Sequence, residues 1–203
     1  PEWINSNIYN LWTGTDNNWN NPANWSQGTV PGTAETVVIQ PSKSITYNLG
    51  GQLQDLVVLN GGTFDMASNL SVSKNLFQYG VINGNSNTLT MNGNDAQRLY
   101  GSVNTDNLTV NNSSGTQWVD ASGCNSLKVN QTLTIANGTF ISASDYEDVT
   151  INNGATLSLT NDITVSGDWT NNGTFTHNGH GVIFDGTATQ IIAGTSGTDF
   201  NEF

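Results

Sequence analysis

Residues 56–106 read LVVLNGGTFDMASNLSVSKNLFQYGVINGNSNTLTMNGNDAQRLYGSVNTD, and residues 149–199 read VTINNGATLSLTNDITVSGDWTNNGTFTHNGHGVIFDGTATQIIAGTSGTD. The second stretch repeats the first without a gap. Its offset is constant, because Gly154 minus Gly61, Gly173 minus Gly80, Gly186 minus Gly93 and Gly194 minus Gly101 all give 93. Between the glycines the identities stay in phase: Asn60 with Asn153, Thr63 with Thr156, Val72-Ser73 with Val165-Ser166, Gln97 with Gln190, Thr105-Asp106 with Thr198-Asp199. Apolar positions agree in kind, as in Leu56/Val149, Phe64/Leu157, Leu70/Ile163, Leu76/Trp169, Ile82/Phe175 and Leu99/Ile192. An internal duplication of this length marks an architecture built from repeats.

Around the duplicated stretch the chain is a series of short alternating pieces, among them Leu70-Ser-Val72, Leu89-Thr-Met91, Leu108-Thr-Val110, Leu133-Thr-Ile135, Val149-Thr-Ile151 and Ile163-Thr-Val165. Period two places both apolar residues on one side and the central polar residue on the other, as a half-buried strand requires. Asn-Gly pairs stand between the pieces, at Asn60-Gly61, Asn83-Gly84, Asn92-Gly93, Asn137-Gly138, Asn153-Gly154, Asn172-Gly173 and Asn178-Gly179. Asn-Gly also signals hairpins, so an antiparallel β-sandwich is the alternative. Pieces of three to five residues are too short for a hairpin stack, successive pieces look alike, and the duplication keeps strands and turns in one register. These features predict an all-β chain folded as a parallel β-helix, a β-solenoid whose coils stack like residues in ladders. At roughly 20 to 29 residues per coil, the common range for short repeats, the offset spans about four coils. Phe64, Phe140, Phe175, Leu70, Ile163, Val72, Val165 and Trp169 are expected to point inward.

Residues 1–35 differ, holding Trp3, Trp12, Trp19 and Trp25 among Asn, Gly and Pro. They are expected to cap a β-helix running over residues 36–203, with copies at 56–106 and 149–199. Phe200 and Phe203 follow the second copy without a polar cap, so the helix is expected to continue beyond 203 and the isolated piece to associate end to end.

Composition narrows the functional classes. The net charge is −12, with Lys43, Lys74, Arg98 and Lys128 as the only cations. That argues against nucleic acid or an anionic membrane as partner, since phosphates call for basic patches. Charged residues make up 10% of the chain, against about a quarter in typical domains, and uncharged polar residues suited to turns and ladders replace them. One cysteine, Cys124, leaves no intrachain disulfide and no cysteine zinc cluster, and reads as a buried, inert thiol. No apolar run reaches the ~18 residues of a membrane span.

The opening Trp12-x-Gly14, Trp19-Asn20, Asn24-Trp25 and Pro31, followed by Leu-Thr-Val pieces, Asn-Gly-Thr-Phe and Gly-x3-Gln-x3-Gly (Gly93 to Gly101, Gly186 to Gly194), resembles the β-helical stalk segments of very large secreted surface proteins. These are similar to adhesin-like proteins of Bacteroidota and, more distantly, to autotransporter passenger domains. The resemblance implies a right-handed parallel β-helix displayed outside the cell, with adhesive or spacer duty.

Several constellations have two uses. Trp12, Trp19 and Trp25 are either an aromatic platform for a sugar ring or a cap over the first coil, and their position before the first strand favours the cap. Thr90, Thr109, Thr134, Thr150 and Thr164 either form an outward array of the kind that binds ice or ordered glycans, or solvate an outer face as good β formers. Asp145, Glu147 and Asp148 around Tyr146, and Asp16 beside Asn17 and Asn18, offer oxygen ligands without a calcium-loop spacing. His177 and His180 flank a turn, with Gly84 and Asn87 at the matching positions of the first copy. Neither a lyase's cationic base with a calcium-binding carboxylate cluster nor a hydrolase's carboxylate pair is visible. The expected function is therefore a non-catalytic stalk or spacer, without cofactor. Its expected partners are further segments of the same polypeptide, surface glycans or other cell-surface proteins. The alternative is a carbohydrate-binding module or a polysaccharide-active enzyme.

Overall fold

The computed structural model describes residues 8–113 and 117–201; Trp3 and Phe203 lie outside them. The short pieces form strands as their alternation requires. Leu70–Val72, Leu76–Gln78 and Ile163–Val165 each bury their first and third residues and turn the middle one outward. Strands so short gain stability only by stacking. Every pairing between the described strands is parallel, each joining a strand to one about a turn further along the chain. The protein is a parallel β-solenoid of about 8 turns, and the antiparallel sandwich is excluded.

Each turn runs through three faces. The first stacks Asn10–Trp12, Thr36–Ile39, Asp55–Val58, Leu76–Gln78, residues 97–101, Trp118–Asp120, Thr139–Ser142, Thr156–Leu159 and Thr174–Thr176. The second stacks Ser44–Tyr47, Thr63–Met66, Val81–Asn83, residues 102–105, residues 126–129, residues 145–146, Ile163–Val165 and Val182–Phe184. The third stacks Gly51–Leu53, Leu70–Val72, Thr88–Met91, Asn107–Asn111, residues 133–135, residues 149–151, Trp169–Asn171 and Ile192–Ala193. Inward residues form ladders such as Leu70, Leu89, Leu108, Leu133, Val149 and Trp169. One apolar core runs from Trp12 to Val182.

The two copies do not lie above one another. Leu56 is on the first face and Val149 on the third, Phe64 on the second and Leu157 on the first, Leu70 on the third and Ile163 on the second. From Leu56 the chain passes Phe64, Leu70, Leu76, Ile82, Leu89, Leu99, Val103, Leu108, Val119, Leu127, Leu133, Phe140 and Tyr146 before reaching Val149, so fourteen face-to-face steps separate the copies. At three faces per turn that is four and two-thirds turns, not the four expected from repeat length. Turn length hid the phase: Leu108 to its partner Leu133 is 25 residues, and Leu133 to Val149 only 16.

Identical residues in the copies make identical corners. The Gly93 amide donates to Gln97 Oε1 at 2.8 Å, and Gln97 Nε2 donates to the carbonyls of Val72 (2.9 Å) and Lys74 (2.8 Å) on the turn before. In the second copy Gly186 donates to Gln190 Oε1 at 3.0 Å, and Gln190 Nε2 donates to the carbonyls of Val165 (2.8 Å) and Gly167 (2.7 Å). One glutamine thus satisfies three backbone groups that the corner leaves unpaired. Gly93 and Gly186 stand so close to the preceding turn that a Cβ would lie 2.4 Å from the Ser73 carbonyl oxygen and 2.1 Å from that of Ser166. Asn85 and Asn178, also 93 positions apart, share a left-handed φ of 50° and 54°. Their amides donate to the carbonyls of Met66 and Leu159.

The solenoid also starts earlier than position 36. Asn10–Trp12 is already a rung of the first face, paired in register with residues 37–39. The intervening segment is an excursion from that face. The strand was hidden because Leu11 and Trp12 are both buried, which breaks the alternation.

Candidate functional surfaces

The excursion folds over the N-terminal end of the core. Trp12, Trp19 and Trp25 are 0%, 2% and 2% exposed and meet edge-to-face, Trp12 on Trp25 at 5.0 Å and Trp19 on Trp25 at 4.6 Å. Trp19 continues the contact onto Tyr47 and Phe64 of the second face. Trp12 Nε1 donates to the Ser44 carbonyl and Trp25 Nε1 to that of Trp19. The Trp-x-Gly pattern has a steric cause, since a Cβ on Gly14 would lie 2.6 Å from both the Trp12 ring and the Asn24 side chain. Asn17 covers the open strand edge, its Oδ1 accepting the Thr46 amide at 2.6 Å. No indole face in this lid is open to a sugar ring.

The oxygens of Asp16 are turned into the same loop. They accept the Asn18 amide at 3.0 Å, Asn21 Nδ2 at 3.1 Å and Asn24 Nδ2. These donors, the Asn18 amide foremost, hold its pKa below the ordinary 3.8. In the second acidic stretch strand alternation turns Tyr146 inward and leaves Asp145 and Glu147 on the outer side. The Tyr146 hydroxyl lies 2.5 Å from Ser142 Oγ, and burial raises its pKa. Asp145 accepts the Thr164 hydroxyl at 2.6 Å and Asp148 accepts the Asp168 amide at 2.7 Å. His177 Nδ1 accepts the Gly179 amide in its turn at 2.9 Å, while His180 faces Asp162 at 3.7 Å. Among the described residues, no three His, Cys, Asp or Glu side chains converge as a metal-binding group. Burial, and then Asp120, push the Cys124 thiol up to about 12.

Of the five threonines singled out as an outward array, Thr164 is on the second face. The other four share one row on the third face. Its register runs Ser71, Thr90, Thr109, Thr134, Thr150, Thr170, six consecutive rungs with the side chains half-buried on the outer surface. On the first face the outward row is instead apolar: Leu11, Val38, Val57, Phe77 and Tyr100. Phe77 and Tyr100 stack on each other at 5.0 Å and 8°, and Gly123 lies against Tyr100, so these faces are occupied as well.

At the C-terminal end the expected bare core is partly covered. Phe200 folds back over Trp169 (5.4 Å), Phe175 (5.9 Å) and Phe184 (5.5 Å). Trp169 Nε1 donates to Thr198 Oγ1, and Asn171 Nδ2 to the Gly197 carbonyl and Thr198 Oγ1. Phe175, expected to point inward, packs against the core and is half-buried in this cluster. Ile183, Ile191 and Ile192 stay exposed. Counting apolar residues missed the fold-back, which turns on Gly194 at φ 125°.

Comparison with protein-family models, with curated proteins and with solved structures returned no match. Among the described residues no helix is long and apolar enough to cross a membrane.

Proposed function

We propose that this chain is a non-catalytic segment of an extracellular cell-surface protein, a stalk or spacer whose partners are further segments of the same polypeptide. One observation carries it. The copies agree at corners and core but diverge on the outside, where Val57 matches Thr150, Asp65 Ser158, Phe77 Thr170, Thr90 Ile183, Arg98 Ile191 and Tyr100 Ala193. A binding or catalytic site carried by the duplication would keep the same outward side chains in both copies. A rod needs only turns that stack, because each turn touches its neighbours alone. The displacement by a fraction of a turn strengthens this reading: a row on one side of the first copy would reappear on another side of the second.

Two measurements test it. Inserting another residues 56–148 after Asp148 should give a folded rod longer by four and two-thirds rungs, about 22 Å at the usual strand spacing, read by small-angle scattering. A glycan array probed with the unaltered, folded chain should show no saturable binding. Tight glycan binding, or an insertion that unfolds the chain, overturns the spacer role. Alanine substitutions at Trp12, Trp19 and Trp25 do not serve here, because they would open the core.

A further inference from the structure

We propose that the outer surface of the third face binds ice through its central hydroxyl row. Five of the six positions in that row, Thr90, Thr109, Thr134, Thr150 and Thr170, are β-branched, and the sixth is Ser71. On a strand β-branching fixes χ1, so hydroxyl and methyl recur rigidly once per rung, at about 4.8 Å. The row extends about 24 Å over its five intervals. Two waters hydrogen-bonded to a common third at the usual O–H···O distance, with a tetrahedral angle between them, lie about 4.5 Å apart. The row therefore repeats within about 0.3 Å of the second-neighbour spacing of tetrahedral water.

The hydroxyls are also free to take part. None of the six makes a side-chain hydrogen bond within the described residues. Neighbouring polar side chains are spent on one another: Asn137 Nδ2 donates to Asn111 Oδ1 at the edge of the third face, Asn92 Nδ2 to Gln52 Oε1 on the rung before Ser71, and Thr164 on the second face to Asp145. The row itself is uncharged, and none of Lys43, Lys74, Arg98 and Lys128 lies on this face. No aromatic side chain stands in the row to stack on a sugar ring, which favours ordered water over a saccharide.

The test is partition of the whole chain into a slowly grown ice hemisphere, with inhibition of ice recrystallisation as second readout. The unaltered chain should enter the ice. The Thr109→Lys/Thr134→Lys double variant should lose at least about tenfold of that partition, while Thr164→Lys on the second face keeps it. Thr109→Val/Thr134→Val preserves volume and β-branching, and should reduce partition with unchanged thermal unfolding, which separates loss of the row from loss of the fold. Exclusion of the unaltered chain from ice overturns the proposal. So does equal partition by folded row variants, or row-dependent binding to an insoluble polysaccharide without entry into ice.

Discussion

The two copies have the same corners in different places. Residues 56–106 begin on the first face with six described turns still to come, whereas residues 149–199 begin on the third face and occupy the last described turns. Yet the Gln97 and Gln190 contacts agree within 0.2 Å. Asn75 and Asp168 also play one part, each side-chain Oδ1 accepting an amide of the next turn, from Arg98 and Ile191. A corner that works on any face means that the structural unit is a strand and its corner, a third of a turn. What differs between copies is the load above them. The first copy's last rungs are covered by the strands at 107–111, 118–120 and 126–129, while among the described residues the matching rungs of the second have the fold-back of residues 194–201.

The largest effects should come where a corner allows no side chain at all. A Cβ on Gly80 would lie 2.3 Å from the Leu59 carbonyl oxygen and 2.4 Å from that of Gly62; on Gly173 the distances to the Asn152 and Ala155 carbonyl oxygens are 2.3 and 2.4 Å. These oxygens belong to the backbone of the preceding corner, which cannot swing aside. Gly80→Ala and Gly173→Ala should each cost more than about 4 kcal/mol, in the exceptional tail of single substitutions, and should lower the denaturant midpoint alike. A large gap between them would break the equivalence of faces. Gly101 and Gly194 sharpen it, since both have positive φ and would clash with a carbonyl oxygen, at 2.1 and 1.9 Å. Gly194 lies exposed on the last turn, so Gly194→Ala should be much the milder of the two.

A smaller difference is expected at the glutamines. Gln97 is fully buried and Gln190 half-buried; they share three equivalent backbone partners, and Gln97 Oε1 also accepts Asn112 Nδ2 at 3.3 Å. Removing a side chain that satisfies buried backbone groups costs about 1–3 kcal/mol for a group left unpaired. Gln97→Ala should therefore lose about 2–4 kcal/mol, whereas water can replace the amide of Gln190 and its loss should stay near 1 kcal/mol. Hydrogen exchange at Gly93 and Gly186 resolves the two sites separately, which a global unfolding curve of a repeat protein does not. Equal acceleration at both amides would show that the last turns are as tightly held as the middle ones.

Much of this was legible in the sequence, for a physical reason. Alternation with period two reports which side of a strand is buried, and three-residue strands with Asn-Gly corners cannot be hairpins, so Leu70-Ser-Val72 and Ile163-Thr-Val165 announce a solenoid. Face membership is another matter. It depends on how many residues each corner consumes, and corners tolerate insertions. Thr150 and Thr164 look alike in sequence but lie on the third and second faces. The hydroxyl row could thus be suspected but not assembled. The Trp lid was legible because aromatic residues without periodicity precede the first long apolar run. The strand Asn10–Trp12 was not, because its outward residue Leu11 joins Val38, Val57 and Leu59 in a second small apolar cluster on the outside of the first face.

The smallest expected difference concerns Asn85 and Asn178. Both hold φ near +50°, where a residue with a Cβ is strained but asparagine is tolerated. Each amide also donates to a carbonyl of the preceding turn, to Met66 at 3.2 Å and to Leu159 at 2.8 Å, and Asn178 reaches Ser158 Oγ at 3.0 Å as well. Alanine loses the hydrogen bond and keeps the strain, so it should cost about 1–2 kcal/mol at either site. Glycine loses the same bond but relieves the strain, so the cost should fall to about 0.5 kcal/mol or less. The gap between alanine and glycine measures backbone strain alone and should be the same in both copies, because the φ values differ by only a few degrees. The glycine cost measures the hydrogen bonds and should be slightly larger at 178, where both are shorter, 2.8 and 3.0 Å against 3.2 Å to Met66 and 3.4 Å to the Asn83 carbonyl at 85. If the alanine–glycine gap differs between the sites by more than the error of a denaturation midpoint, the two corners are not held in one conformation in solution, and the strand-and-corner unit is not interchangeable between faces.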